Sequence, residues 1–445
     1  MARLEQEHEN LPAALTFLLE RAREEGVVQA ERALRFFAAL ARYWALRSYL
    51  SEERHFLEAA SGLLHAADRT VARARALAAA AELTFTLDDC AATCTLAEES
   101  TALARELGEK ACLAYALRVL ARARLELGDA AAGQLLIEES MQLAREVEDA
   151  WLLASSLYAL GELLYVQDKL AAARAQFEQS AALFRELGDK HALSSSLDWL
   201  AYCVLSEGDL GQAHALWQES LTLAREVGDQ RRIVTVLFQL GHTAMVQGDW
   251  EQAETLMKES LALAQEIGNK RGVAVVLQYL AELAQLRGDL AQAAGLAEES
   301  LILFREMGHI WDILQNLLIL GEIIRDQGNL AQAKVLFEEG LSLAQQNGYK
   351  SFIRWYLVGL ASLAVAEHQS QQAARLFGAA ECLSDLRNEL DSDPYRRTVY
   401  ERDVATIRAQ LGEEAFAAAW AQGRTMPLEQ VITEALRMEG EAGTP

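Results

Sequence analysis

Glycine followed by an acidic or amide residue returns at a fixed interval, and that interval leaves few folds open. Gly128-Asp129, Gly208-Asp209, Gly248-Asp249, Gly288-Asp289 and Gly328-Asn329 stand on one 40-residue ladder, with Gln167-Asp168 filling its gap. A second ladder runs halfway between, through Gly108-Glu109, Gly188-Asp189, Gly228-Asp229, Gly268-Asn269, Gly308-His309 and Gly348-Tyr349. Glycine suits the left-handed residue just past a helix C-terminus because it has no Cβ, and Asp or Asn suits the next N-cap because its oxygen accepts from an orphan N–H. Two such turns per period imply two helices per repeat, each of about 16 to 18 residues.

Composition agrees. Only Pro12, Pro394, Pro427 and Pro445 occur, so the long stretch between the first two is free of the strongest helix breaker. That stretch is rich in Ala, Leu, Glu, Gln and Arg, which favour helix. The fold expected is all-α.

Inside each repeat, small residues recur. First helices carry Ala121, Gly161, Ala201, Gly241, Ala281, Gly321 and Ala361; second helices carry Ala173, Ala213, Ala293, Ala333 and Ala373. Small residues at these points allow close helix approach. A Glu-Ser pair also repeats, at Glu99-Ser100, Glu139-Ser140, Glu219-Ser220, Glu259-Ser260 and Glu299-Ser300.

Through Leu240-Gly241 on a first helix, the Gly248-Asp249 turn and Ala253 on the second, the chain resembles the tetratricopeptide family. The family period is about 34 residues, so a 40-residue repeat lengthens the helices by roughly a turn. The resemblance implies a right-handed superhelical solenoid of about nine antiparallel helix pairs with helical caps. The expected division is a capping helix in 1–28, repeats in 29–388 and a helical cap with a loose tail in 389–445. The first two repeats are degenerate, with Asp68-Arg69 and Asp88-Asp89 where Gly-Asp would stand. In the cap, Leu390 to Pro394 reads as a turn before helices near 396–410, 413–422 and 428–438, and Gly440 to Pro445 as a loose end.

The flanks narrow the resemblance. HENLPAALTFLLERA at 8–22, AARLFGAAECL at 373–383 and LGEEAFAAAWAQGRTMPLEQVITEAL at 411–436 resemble the borders of the repeat arrays in STAND-type ATPase regulators, including LuxR-type transcriptional activators. That implies a sensor region that binds an effector or partner and releases an autoinhibited ATPase module. No G-x-x-x-x-G-K-[ST] phosphate loop and no helix-turn-helix reader accompany it, so the chain is expected to be an excised or stand-alone sensor portion.

Charge and cysteine usage exclude other classes. With 41 Lys and Arg against 65 Asp and Glu, the net charge is −24, the opposite of a nucleic-acid-binding stripe. Cys90, Cys94, Cys112, Cys203 and Cys382 have no zinc-ribbon spacing and read as small apolar residues in a reducing cytoplasm. The start lacks a signal core and no apolar run spans a bilayer. Eight scattered histidines and the absence of His-Glu-x-x-His leave no catalytic constellation, so no enzyme, cofactor or metal is expected.

The tetratricopeptide pattern places ligand contacts on the first helices. The candidates are Arg75, Glu82 and Phe85; Tyr115, Arg118 and Arg122; Tyr158, Glu162 and Tyr165; Asp198 and Tyr202. Phe238, His242 and Met245 follow, then Gln278, Glu282 and Gln285, then Gln315, Glu322 and Arg325, with Trp355 closing the row. Arg118 and Arg122, at i and i+4, either grip a carboxylate or phosphate or neutralise Glu82 and Glu162 on adjacent helices. Trp44, Trp151, Trp199, Trp217, Trp250, Trp311 and Trp420 read as core or inter-repeat wedges. The expected function is a ligand- or protein-sensing array whose partners are a small-molecule effector, a peptide or protein, and the parent ATPase. Two alternatives stay open: a constitutive peptide-binding adaptor with no switch, and a consensus-like array whose regularity is mainly structural.

Overall fold

The computed structural model describes residues 10–25, 27–47, 50–66, 69–383 and 394–436. Among the described residues every regular element is helical. Helix α1 (Asn10–Glu25) precedes the pair α2 (Val27–Arg47) and α3 (Leu50–Ala66). Eight further pairs follow. They are α4 (Val71–Thr86) with α5 (Cys90–Leu107), α6 (Lys110–Glu126) with α7 (Ala130–Glu146), α8 (Ala150–Val166) with α9 (Leu170–Leu187), and α10 (Lys190–Ser206) with α11 (Leu210–Val227). Then come α12 (Gln230–Val246) with α13 (Trp250–Glu266), α14 (Lys270–Leu286) with α15 (Leu290–Met307), α16 (Ile310–Asp326) with α17 (Leu330–Asn347), and α18 (Lys350–Ala366) with α19 (Ser370–Glu381). The tail holds α20 (Pro394–Leu411), α21 (Glu413–Thr425) and α22 (Leu428–Leu436). The expected helix pairs and tail helices are present. The Leu390–Asp393 turn, Asp68, residues 4–9 of the leading helix, Gly440–Pro445 and the Trp44 side chain lie outside the described residues.

The turns obey the expected chemistry. Every ladder glycine from Gly108 to Gly348 has φ between 68° and 88°. Asp129, Asp189, Asp209, Asn269 and Asp289 each accept from the N–H three residues on. One assignment shifts by a residue. In the Gln167-Asp168 gap, Asp168 itself takes the left-handed place, at φ 60°, and Lys169 occupies the N-cap without a side-chain bond. Asp tolerates that conformation better than most residues. The degenerate Asp88-Asp89 turn works the same way, with Asp88 at φ 61° and Asp89 capping Ala92 N–H.

The repeated small residues and serines have definite packing roles. A Cβ on Gly161 would lie 2.6 Å from the Phe177 ring, and Gly321 faces Phe337 likewise, so these glycines make room for an aromatic ring of the second helix. The repeated serine is fully buried and ties its helix to a carbonyl of the preceding first helix. Ser100 donates to Ala74 O, Ser140 to Ala114 O, Ser180 to Ala154 O and Ser300 to Ala274 O, at 2.7–2.9 Å. In the next repeat Gly340 replaces that serine. The Tyr356 ring fills the space and its hydroxyl donates to Leu314 O, the equivalent carbonyl.

The chain forms two compact units, one of residues 1–243 with 266–268 and one of 244–265 with 269–445. In the second, α21 lies on α19. Gly378 and Gly423 pack directly against backbone of the facing helix, and the Phe377 and Trp420 rings stack at 6.3 Å. Val431, Ile432 and Ala435 of α22 are buried beside them.

Two tryptophans depart from the expected core role. Trp250 and Trp311 are 41% and 50% exposed because each stands in the first turn of its helix, where the end projects. Trp217 is fully buried, and Trp151, Trp199 and Trp420 are half-buried.

Candidate functional site

The first helices of unit 1 carry a ladder of side chains joined from one helix to the next. The 3.6-residue helical period puts positions 118 and 122 on one face, and the 40-residue repeat brings 82, 122 and 162 to equivalent places on neighbouring helices. Arg118 donates to Glu82, while Arg122 forks Glu162 at 2.8 and 3.1 Å and lies 3.8 Å from Glu82. Both arginines also sit on rings: Arg118 4.8 Å from Tyr115, and Arg122 4.4 Å from Phe85 and 5.5 Å from Tyr158. Of the two expectations for this pair, the geometry is that of mutual neutralisation.

A second cluster follows. Asp198 accepts from Arg232 and from Trp217 Nε1 at 2.9 Å, and Tyr202 accepts from Gln239. Tyr165, Trp199 and Tyr202 pack edge to face or tilted, with centroids 5.3–6.4 Å apart. Arg231, on α12, donates to Thr86 O at 2.9 Å although 145 residues separate them. The end of α4 and the start of α12 therefore meet within unit 1.

Burial and pairing set the protonation of this wall. Burial pushes the Glu82 carboxyl up, but Arg118 and Arg122 outweigh it and hold Glu82 below its usual range. Burial wins at Asp198, whose carboxyl is raised despite Arg232. Burial also pushes the Tyr158 hydroxyl up. Burial raises the thiols of Cys90, Cys112 and Cys203 to about 11, which leaves them unreactive as thiolates at neutral pH.

In unit 2 the face is covered by the tail. Tyr395 and Arg396, at the start of α20, meet Gln285, Glu322, Arg325 and Trp355. Elsewhere the candidates scatter: Phe238, Met245 and Gln278 are buried within the wall, and His242, Glu282 and Gln315 are half-buried. Arg75 is exposed and pairs with Glu109 at 3.2 Å. Sequence reasoning missed Arg231, Arg232, Gln239 and Asp326, which lie one to four residues from the assumed register. It also missed Tyr395 and Arg396, which stand outside the period. The available signal was Glu322 itself, whose 40-residue neighbours are Glu282 and Ser362, neither of them a cation.

Among the described residues no group of three or more His, Cys, Asp or Glu is arranged to hold a metal, and no helix is long and apolar enough to cross a membrane.

The paired helices, the Gly-Asp turns and the first-helix wall are those of a tetratricopeptide-repeat region, and comparison with known proteins agrees. The family model described as a MalT-like TPR region matches residues 229–438, and that of anaphase-promoting complex subunit 5 matches 45–126, 119–167 and 164–207. No curated protein is a significant match. Solved structures share the fold at low identity. A STAND protein with a tetratricopeptide repeat sensor from Pyrococcus horikoshii gives a TM-score of 0.51 at 15% identity, over 80% of this chain and 55% of that one. A Rap protein complexed with competence and sporulation factor gives 0.52 at 11% identity, over 85% and 99%. Aspartyl phosphate phosphatase F from Bacillus subtilis gives 0.52 at 11%, over 80% and 94%. The chain thus carries a helical repeat array of tetratricopeptide type, whose fold it shares with these solved structures.

Proposed function

We propose that this array is the sensor region of a STAND-type signalling or transcriptional regulator, working in the cytoplasm, and that it binds a peptide or small-molecule effector on its first-helix wall. The observation that carries this is the ladder Glu82–Arg118 and Arg122–Glu162, in which each ion pair ties two adjacent first helices. An anionic group that captures Arg122 must release Glu162, so recognition is coupled to the spacing of α6 and α8. A ligand shifts a conformational equilibrium only through its preference for one state, and such pair exchange supplies the preference. The surrounding tyrosines add flat, amphipathic contact area of the kind recognition surfaces use. The proposed partners are the effector and the ATPase module of the parent regulator. The wall takes no catalytic role in this scheme.

The test is thermal shift of the purified chain against metabolite and peptide libraries and against an ATPase module, followed by small-angle scattering. A ligand at 100 times its dissociation constant is expected to stabilise the fold by about 2.7 kcal/mol, with the effect lost in Arg122→Ala. A scattering curve that changes on binding supports the sensor. Binding with an unchanged curve replaces it with a constitutive adaptor, and no binding at all removes the proposal.

A further inference from the structure

Helix α20 does more than cover the last repeat, on which it lays Tyr400 against Phe377 and buries Ile407. That covering is shared with α21 and α22, which bury Phe416, Ala419, Val431 and Ile432. The first turn of α20 also reaches back over α14, α16 and α18. Tyr395 Oη accepts from Gln285 Nε2 at 2.8 Å and from Arg325 Nη2 at 2.9 Å, and donates to Asp326. Arg396 forks Glu322 at 2.9 and 3.1 Å, and its guanidinium lies 5.2 Å from the Trp355 ring centroid. A planar fork on a carboxylate with a ring beneath it is a specific recognition geometry.

Repeat equivalence explains why the tail is accepted there. Glu322 holds the place of Glu82 and Glu162, which take their cations from adjacent first helices. Where unit 1 has Arg122, unit 2 has Glu282 and Ser362 at the 40-residue equivalents. Arg396 supplies the missing partner. The complement is incomplete, however. Beside Tyr395 lies a cavity of about 510 Å³, lined among others by Arg402, Asp403 and Ser362. Asp403 Oδ2 and Ser362 Oγ are buried there with no hydrogen-bond partner. Unsatisfied buried polar atoms cost free energy, so the tail is held here with less than full polar complement.

We infer that the first-helix face of unit 2 is a docking site for a helix or peptide presenting tyrosine followed by arginine, held in cis by Tyr395-Arg396 and open to a partner of the same chemistry once the tail leaves. This rests on reading the first helices as a recognition surface, but it concerns different residues from the unit 1 ladder.

The experiment uses the full chain and a fluorescein-labelled peptide of the α20 sequence, PYRRTVYERDVATIRAQL, followed by fluorescence anisotropy. The wild-type chain is expected to bind it weakly, because the site is filled. Tyr395→Ala/Arg396→Ala is expected to bind at least tenfold tighter, and adding Glu322→Gln is expected to cancel that gain. Circular dichroism checks helix content. Should the double alanine variant lose its fold, Tyr395→Phe/Arg396→Lys keeps the packing and is expected to show a smaller gain in the same direction. Equal binding by wild type and the folded variant, or a gain insensitive to Glu322→Gln, overturns the inference and leaves α20 a cover. Because no effector is present, a negative result here leaves the unit 1 proposal standing, and failure of the effector screen leaves this one standing.

Discussion

Unit 1 and unit 2 are built from the same repeat, yet they complete the glutamates at equivalent first-helix places, Glu82 and Glu162 against Glu322, by different routes. In unit 1 the carboxylates take their cations from neighbouring repeats, Glu82 from Arg118, Glu162 from Arg122 and Asp198 from Arg232, although Arg231 reaches as far as Thr86 O. In unit 2 Glu322, Arg325 and Gln285 are completed by Tyr395 and Arg396, from 70 to 110 residues further along the chain. The buried serine layer shows a related contrast. Ser140 of unit 1 and Ser300 of unit 2 each reach a first-helix carbonyl by themselves, whereas Gly340 of unit 2 leaves Leu314 O to Tyr356 of the following helix. A repeat that closes on its neighbours is independent of the rest of the chain. One that borrows distant groups is sensitive to whatever those groups do.

Four substitutions and one titration break or sharpen this contrast. The largest effect is expected for Gly340→Ala, which drives a methyl into the Tyr356 ring and removes its hydroxyl from Leu314 O. A cost of about 3 kcal/mol is expected from overpacking with a lost buried hydrogen bond. Urea unfolding measures it, and a change under about 1 kcal/mol would mean that the layer yields to an added methyl. Next, Glu162→Gln leaves the Arg122 charge with only the more distant Glu82, at 3.8 Å, and is expected to destabilise unit 1 by about 2 kcal/mol. Glu322→Gln should cost less, about 1 kcal/mol, because its partner Arg396 is on a terminal segment that can swing to water. Equal losses at the two glutamates would erase the distinction between the units.

The acid side tests the ladder through Glu82. Its carboxyl is depressed in the folded chain, so its stabilisation is present above its ordinary value of 4.5 and is lost as pH falls through the folded value. Asp198 is raised and works in the opposite sense, its contribution improving as pH falls below the folded value. Stability profiles from pH 7 to 3 should therefore be flatter in Glu82→Gln and steeper on the acid side in Asp198→Asn. Unchanged profiles in both would show that these two groups do not govern the acid limb. The smallest effect is expected at the exposed pair Arg185–Glu219, both about half exposed, where Arg185→Ala changes stability by less than about 0.5 kcal/mol.

Much of the architecture is carried by local signals. The ladder of Gly-Asp turns, from Gly108 to Gly348, specifies helix ends through left-handed backbone and N-cap chemistry, which depend on residues close in the chain. The period then places Glu82, Arg122 and Glu162 in equivalent positions, so their pairing is legible from the sequence as one of two outcomes. Sequence also shows where the period stops, near residue 388. What tertiary structure decided is who completes whom. That Gly161 admits the Phe177 ring, that Arg231 reaches Thr86, and that Tyr395 and Arg396 settle on Glu322 and Gln285 all depend on how helices lie in space. Turn chemistry is satisfied within a few residues and so is written locally. The pairing of buried charges depends on distance through space, which a repeat register constrains only between neighbours and a non-repeating tail does not constrain at all.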